Sequence, residues 1–135
     1  MLGIDLTGRR ALVTGGARGI GAGVVRALAQ SGAQVAFTYL GSDRGTEAAG
    51  QLSAKLNEQE ERVFGYVAPA QDLGAMEKVV VDAADRMGGL DILVPNAGTG
   101  FVAPLEELDL SGWKRVLDIN LTGQFIAVKV AIPKL

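Results

Sequence analysis

The sequence predicts an α/β fold, a doubly wound parallel sheet, on three observations. Short aliphatic runs at 11–13, 35–37 and 92–94 alternate with stretches whose apolar residues recur at helical spacing. The composition is aliphatic, with 48% hydrophobic, 21% charged and 5% aromatic residues, as expected of parallel strands covered on both faces. Nineteen glycines suit tight strand-to-helix turns better than disorder. At 135 residues the chain makes one domain at most, able to bury roughly two thirds of its unfolded surface.

The elements follow in order. Residues 6–14 are strand one with its lead-in, and a helix over 19–31 carries Ile20, Val24, Ala27 and Leu28 toward the sheet until Gly32 stops it. Residues 34–39 form strand two and complete a βαβ unit. A polar loop over 40–45 leads to a helix over 46–60 with Ala48, Ala49, Leu52 and Leu56 inward. Strand three spans 62–67. The helix over 73–87 is the clearest amphipathic stretch, with Met76, Val79, Val80, Ala83 and Met87 on one face, and Gly88-Gly89 ends it before strand four at 90–94. From Asp109, an N-cap residue, a long helix runs toward Ala131 with Trp113, Val116, Leu117, Leu121, Phe125 and Val128 on one broad face; Asn120 and Gly123 interrupt that face and predict a kink. Right-handed crossovers then give the strand order 3-2-1-4.

Several function classes are excluded early. A formal net charge of -2 and the lack of a basic cluster interleaved with aromatics argue against a nucleic-acid partner. With no cysteine and no histidine, a Cys/His zinc site, a thiolate nucleophile and a Ser-His-Asp triad are impossible within these residues. The first residues show no basic, apolar leader pattern, and the apolar runs are shorter than a membrane span, so the expectation is a cytoplasmic protein with no membrane partner.

The stretch 11–21 joins a buried strand to a glycine-opened helix in the spacing Thr14-Gly15-x-x-x-Gly19-x-Gly21. Gly15 lets the chain leave the strand, Gly19 lets backbone approach a pyrophosphate, and Gly21 lets the helix pack closely. The free N–H groups of the first helical turn and the positive end of the helix dipole would face the phosphates. Taken alone, the same glycines also read as a tight chain reversal, and the run lacks the Gly-Lys-Ser/Thr ending of a P-loop.

With Asn96-Ala97-Gly98 and Asp118-Ile119-Asn120-Leu121 following in order, the sequence resembles the short-chain dehydrogenase/reductase family, in particular its 3-oxoacyl-carrier-protein-reductase-like members; Thr14, Gly15, Gly19, Ile20 and Gly21 stand at the first motif's positions. The resemblance covers the whole chain but only the amino-terminal half of that family's Rossmann-type fold. It implies an NAD(P)(H)-dependent oxidoreductase, moving hydride between nicotinamide and a carbonyl or alcohol substrate, with this chain supplying the cofactor-binding half. It also implies that Asn96, Ala97 and Gly98 lie against the cofactor, that Asp72 remains of an acidic pair at the adenine, and that Asn120 kinks its helix and holds a water in the proton relay. Pro95 and Pro69 stand where the family has asparagine and aspartate, and both touch the cofactor groove.

Cofactor choice is read at the tip of strand two, where an acid would take the ribose hydroxyls of NAD. Thr38 and Tyr39 occupy that tip; Asp43 lies further on beside Arg44, and Arg18 sits inside the glycine turn. Arginines match a 2'-phosphate, so NADP(H) is favoured over NAD(H), although Arg18 and Arg44 also read as ordinary solvated residues. The family's catalytic Tyr-x-x-x-Lys is not found within these residues, since Tyr39 is followed by Asp43 and Tyr66 by Ala70. The 135 residues alone are therefore expected to be inactive, and a non-catalytic nucleotide-binding or interaction module, or a truncated remnant, stays open as the alternative. An uncovered strand four and the apolar long helix further predict a homo-oligomer or a complementing chain.

Overall fold

The computed structural model describes residues 3–135. Its elements are β1 (Arg10–Val13), α1 (Gly19–Gln30), β2 (Gln34–Tyr39), α2 (Asp43–Leu56), β3 (Val63–Val67), α3 (Leu73–Met87), β4 (Ile92–Val94), α4 (Leu110–Leu117) and α5 (Gly123–Ala131). The four strands are parallel in the order β3-β2-β1-β4, as the sequence predicts. Ala36 of β2 lies beside Leu12 and Phe64, and Leu12 in turn lies beside Leu93.

Because side chains alternate along a strand, the sheet carries two cores. On one face Leu12, Ala36 and Phe64 meet Met76, Val80 and Ala83 of α3 and Ile126 and Ala127 of α5. On the other, Val13, Val35 and Phe37 meet Val25 and Ala29 of α1 and Ala49 and Leu52 of α2. Phe37 is fully buried, a side chain worth about 1.5–3 kcal/mol in transfer free energy.

The helix over 73–87 forms as read, with all five inward residues buried. Other expectations need correction. In α1 the buried face is Gly21, Ala22, Val25 and Ala29, while Ile20 is 81% exposed and Ala27 is exposed; the face is turned by one residue because Gly21, not Ile20, meets the end of β1. Helix α2 begins at Asp43 rather than 46, because Ser42 caps it by accepting a hydrogen bond from Gly45 N at 3.0 Å. It stops at Leu56 rather than 60, where the Asn57 Oδ1 accepts from the N–H groups of Arg62 and Val63 and turns the chain into β3. Strands β1, β3 and β4 are shorter than read, four, five and three residues.

The long helix forms in two segments. Asp109 caps it through Gly112 N at 2.8 Å, as expected. A π-helical turn, Asp118–Thr122, joins α4 to α5 at the place where a kink is predicted. The broad apolar face read from the sequence is largely exposed, with Trp113, Leu121 and Phe125 more than half open, as a partner-seeking surface would be, while Gly123, Ile126, Ala127 and Ala131 take the core. Three small residues let the helix approach the sheet layer around Ile126, and the aromatic residues are left outward. The apolar stretches are also not as short as read: Leu110–Lys134 is a continuous helix of 25 residues with a window of mean hydropathy 1.3, long and apolar enough by length and composition to cross a membrane, and 22% of that window is buried against the domain.

Below the sheet, away from the strand ends that carry the glycine turn, Arg10 clamps β1 to the lead-in of β4. Its Nε and Nη2 donate to the two carboxylate oxygens of Asp91 at 2.9 and 3.0 Å, its backbone N–H donates to the same carboxylate, and Nη1 donates to Gly88 O. The guanidinium holds the Asp91 carboxyl below its ordinary pKa. A carboxyl depressed in the folded state contributes stability above its unfolded pKa, about 3.9, and loses it as pH falls through the folded value. Asp91→Asn is therefore expected to lower the melting temperature at pH 7, by a margin that shrinks as pH falls below the ordinary carboxylate range; a gap that stays equal down to the acid limit of folding contradicts the clamp.

Candidate functional site

The site begins with a buried hydroxyl. Thr14, 1% exposed, directly follows β1, and its Oγ1 accepts hydrogen bonds from Asn96 N at 2.9 Å and Ala97 N at 3.0 Å. Its own N–H donates to Val94 O. Pro95 falls between the residues that bond to Thr14, so the N–H that proline lacks costs no bond to β1. Asn96 then turns back: Nδ2 donates to Thr14 O and Gly15 O at 3.2 and 3.1 Å and straps the glycine turn to β4. From the other side Thr38 holds the same turn, its Oγ1 accepting from Gly15 N and its carbonyl from Gly16 N.

The glycines follow from that crowding. Gly15 has φ +66°, and a Cβ there would stand 2.8 Å from Ala97 Cα. A Cβ on Gly21 would stand 1.9 Å from the Gly15 carbonyl oxygen and 2.6 Å from Asn96 Nδ2. Gly19, at φ +58°, is different: nothing lies within 4 Å of where its Cβ would be. Its surface faces open space, and glycine there admits a ligand up to the backbone.

Helix α1 starts beside this opening without a side-chain cap, and its first turn holds no acid. The first intrahelical bond is Ala22 N to Arg18 O, which leaves the N–H groups of Gly19, Ile20 and Gly21 facing outward. By contrast Ser42, Asp72 and Asp109 cap α2, α3 and α4. The residue at the α1 N-cap is Arg18, a cation at the positive end of the dipole, an arrangement that is unfavourable until an anion sits between them.

A cleft of about 550 Å³ runs over the carboxyl ends of the strands, from the glycine turn past the tips of β2 and β3 to α4. Gly15, Arg18, Ile20, Gly21, Tyr39, Asn96, Ala97 and Gly98 line it, as their candidacy requires. Thr14 lies beneath it as support, and Gly19 stands in the turn between two lining residues. Arg44 does not line it, being exposed in the first turn of α2. Asp72 spends its Oδ1 on capping α3, accepting from Ala75 N at 3.0 Å. Ala68, Ala70, Gln71, Thr99 and Arg115 line the cleft without having been read from the sequence, and so does Ile119, which was read only as part of the Asn120 motif. Of these, Arg115 and Ile119 stand four apart on a helix leading to Asn120, a spacing that could have found them. Two arginines and, among the described residues, no carboxylate line the cleft, so its field favours an anion.

Asn120 sits in the π-helical turn, and both ends of its amide hold one residue's backbone: Oδ1 accepts from Thr99 N and Nδ2 donates to Thr99 O, each at 2.7 Å. Gln124 Nε2 donates to Ala97 O at 2.9 Å. The long helix thus grips the segment that follows β4 and fixes one wall of the cleft. Tyr66 lies away from the cleft, donating to Asp82; burial and that carboxylate push its hydroxyl above its ordinary pKa.

Comparison with known proteins bears on this geometry. Residues 9–135 match the family model described as short chain dehydrogenase. The 3-alpha-(or 20-beta)-hydroxysteroid dehydrogenase of Mycobacterium tuberculosis is 37% identical over 127 residues, 94% of this chain and 46% of that protein. A short chain dehydrogenase from Burkholderia cenocepacia, solved in complex with NADP, superposes with a TM-score of 0.90 at 38% identity, covering 97% of this chain and 52% of that one. A blue fluorescent protein from a metagenomic library, solved in complex with NADPH, gives a TM-score of 0.90 at 37% identity over 97% of this chain and 53% of its own. The chain spans about half the length of the relatives it matches. The strapped glycine turn, the 3-2-1-4 sheet and these matches together make the chain a member of the short-chain dehydrogenase/reductase family.

Proposed function

We propose that this chain is the cofactor-binding half of an NADP(H)-dependent oxidoreductase acting between a carbonyl and an alcohol. The observation that carries the reading is the uncapped start of α1, opening with Arg18 into a cleft that no described carboxylate lines. The residues fit a dinucleotide. The N–H groups of Gly19, Ile20 and Gly21 meet the pyrophosphate, and the open face of Gly19 leaves room for it. Tyr39 at the β2 tip offers no acid to ribose hydroxyls, whereas Arg18 offers a fork to a 2'-phosphate. When bound, the nicotinamide supplies the hydride. Asn96, Thr14 and Asn120 position the walls between which it is held, and none of them supplies a proton donor for the developing alkoxide, which such a reaction needs.

The same half sheet seeks a partner. Among the described residues β4 pairs only with β1, so Ile92, Leu93 and Val94 keep one side of their backbone open, half-buried and without a lysine or bulge. On the long helix Trp113, Leu121 and Phe125 are exposed. We read these surfaces as covered in the working protein by a second copy or by a complementing chain.

Two outcomes are expected. By calorimetry the chain binds NADPH more tightly than NADH; Arg18→Ala narrows that preference by about tenfold, the scale of one charge-assisted bond, and Gly19→Val abolishes binding of both. Equal affinities, or an unaltered Gly19→Val, contradict the site. By light scattering the chain self-associates over micromolar concentrations and Leu93→Lys reduces its size; a wild-type monomer throughout contradicts the open-edge reading.

A further inference from the structure

The cleft has a far end that the phosphate seat does not use. A dinucleotide lying across a sheet of this order places its pyrophosphate on the βα1 turn and its ribose at the β2 tip, which sends the base on toward the end of β3. There the walls are Ala68 and Ala70, 3% and 6% exposed, and Ile119. The floor is held in place, because a Cβ on Gly123 would already touch Ala70 at 3.1 Å. Pro69 stands between the two alanines and offers no N–H.

Two polar side chains line the cleft from the segments that bound this end, the stretch after β3 and the helix α4 that leads to Ile119. Gln71 carries both a donor and an acceptor on one carboxamide, so it can serve a 6-amino or a 6-oxo group of a purine by rotating. Arg115 projects from α4 and, among the described residues, its guanidinium has neither a hydrogen-bond nor an ion-pair partner. It donates only, and its planar cation stacks well on an aromatic face. No described carboxylate is present to demand an amino group of the base.

We infer that Arg115 is the base-binding residue of this site, lying against the face of the purine, and that the pocket takes 6-oxo and 6-amino purine dinucleotides with little discrimination. The inference rests on the dinucleotide reading above and adds the rule by which the base is chosen. Stacking reads the π face and ignores the edge, while Gln71 adapts to either edge.

The test measures NADPH and its deaminated analogue, nicotinamide hypoxanthine dinucleotide phosphate, by calorimetry on the wild type, Arg115→Ala and Arg115→Gln. The two ligands are expected to bind the wild type within about threefold of each other, and Arg115→Ala to weaken both in parallel by about fivefold, the scale of a cation–π contact at an exposed site. Arg115→Gln, which keeps length and loses charge, is expected to lie between. NADPH binding with a tenfold or greater preference over the hypoxanthine analogue, or binding unaltered in Arg115→Ala, overturns the inference and leaves the dinucleotide reading standing. Failure of the wild type to bind either ligand overturns both.

Discussion

The close approach of α1 to the end of β1 is the constraint on which the rest depends. A methyl group on Gly21 would lie 1.9 Å from the Gly15 carbonyl oxygen, so the helix can start where it does only if position 21 has no side chain. That approach brings Gly15 into the left-handed region, where glycine alone is unstrained, and lets Asn96 bridge two consecutive carbonyls, those of Thr14 and Gly15. With the turn so tied, the first N–H groups of α1 have no direction left but the cleft. Binding geometry here is a by-product of packing geometry.

The support is arranged in depth. The Thr14 hydroxyl carries the backbone of Asn96 and Ala97, Asn96 carries the turn, and Asn120 and Gln124 carry the segment from Ala97 to Thr99. Each is a side chain bonded to backbone, so each fixes chain position rather than offering chemistry. The π-helical turn has a reason in this scheme: it presents the Asn120 amide squarely to one peptide group, where a regular α-helical turn would spend the backbone differently.

Much of this was legible because glycine and small polar residues carry strong local meaning. The spacing of Thr14, Gly15, Gly19 and Gly21, the inward stripe of α3 and the strand order all read directly from the chain. Gly45 misled, because a glycine in a polar run reads as loop, whereas its packing against Leu40 O requires one inside the first turn of α2. On the long helix the outward apolar stripe was legible but the core face was not, because Gly123, Ala127 and Ala131, which pack inward beside Ile126, carry little hydrophobic signal. At the base end of the cleft the resemblance pointed only to Pro69 and Asp72, since Ala68, Ala70, Gln71 and Arg115 are brought together only by the fold.

The central claim is that the uncapped first turn of α1 is where the dinucleotide's phosphates sit. Amide chemical shifts read this directly. On titrating the ¹⁵N-labelled chain with NADPH, the amides of Gly19, Ile20 and Gly21 are expected to move further than those of the capped turns after Ser42, Asp72 and Asp109. Unmoved amides at Gly19–Gly21, with binding detected elsewhere on the chain, would contradict the account.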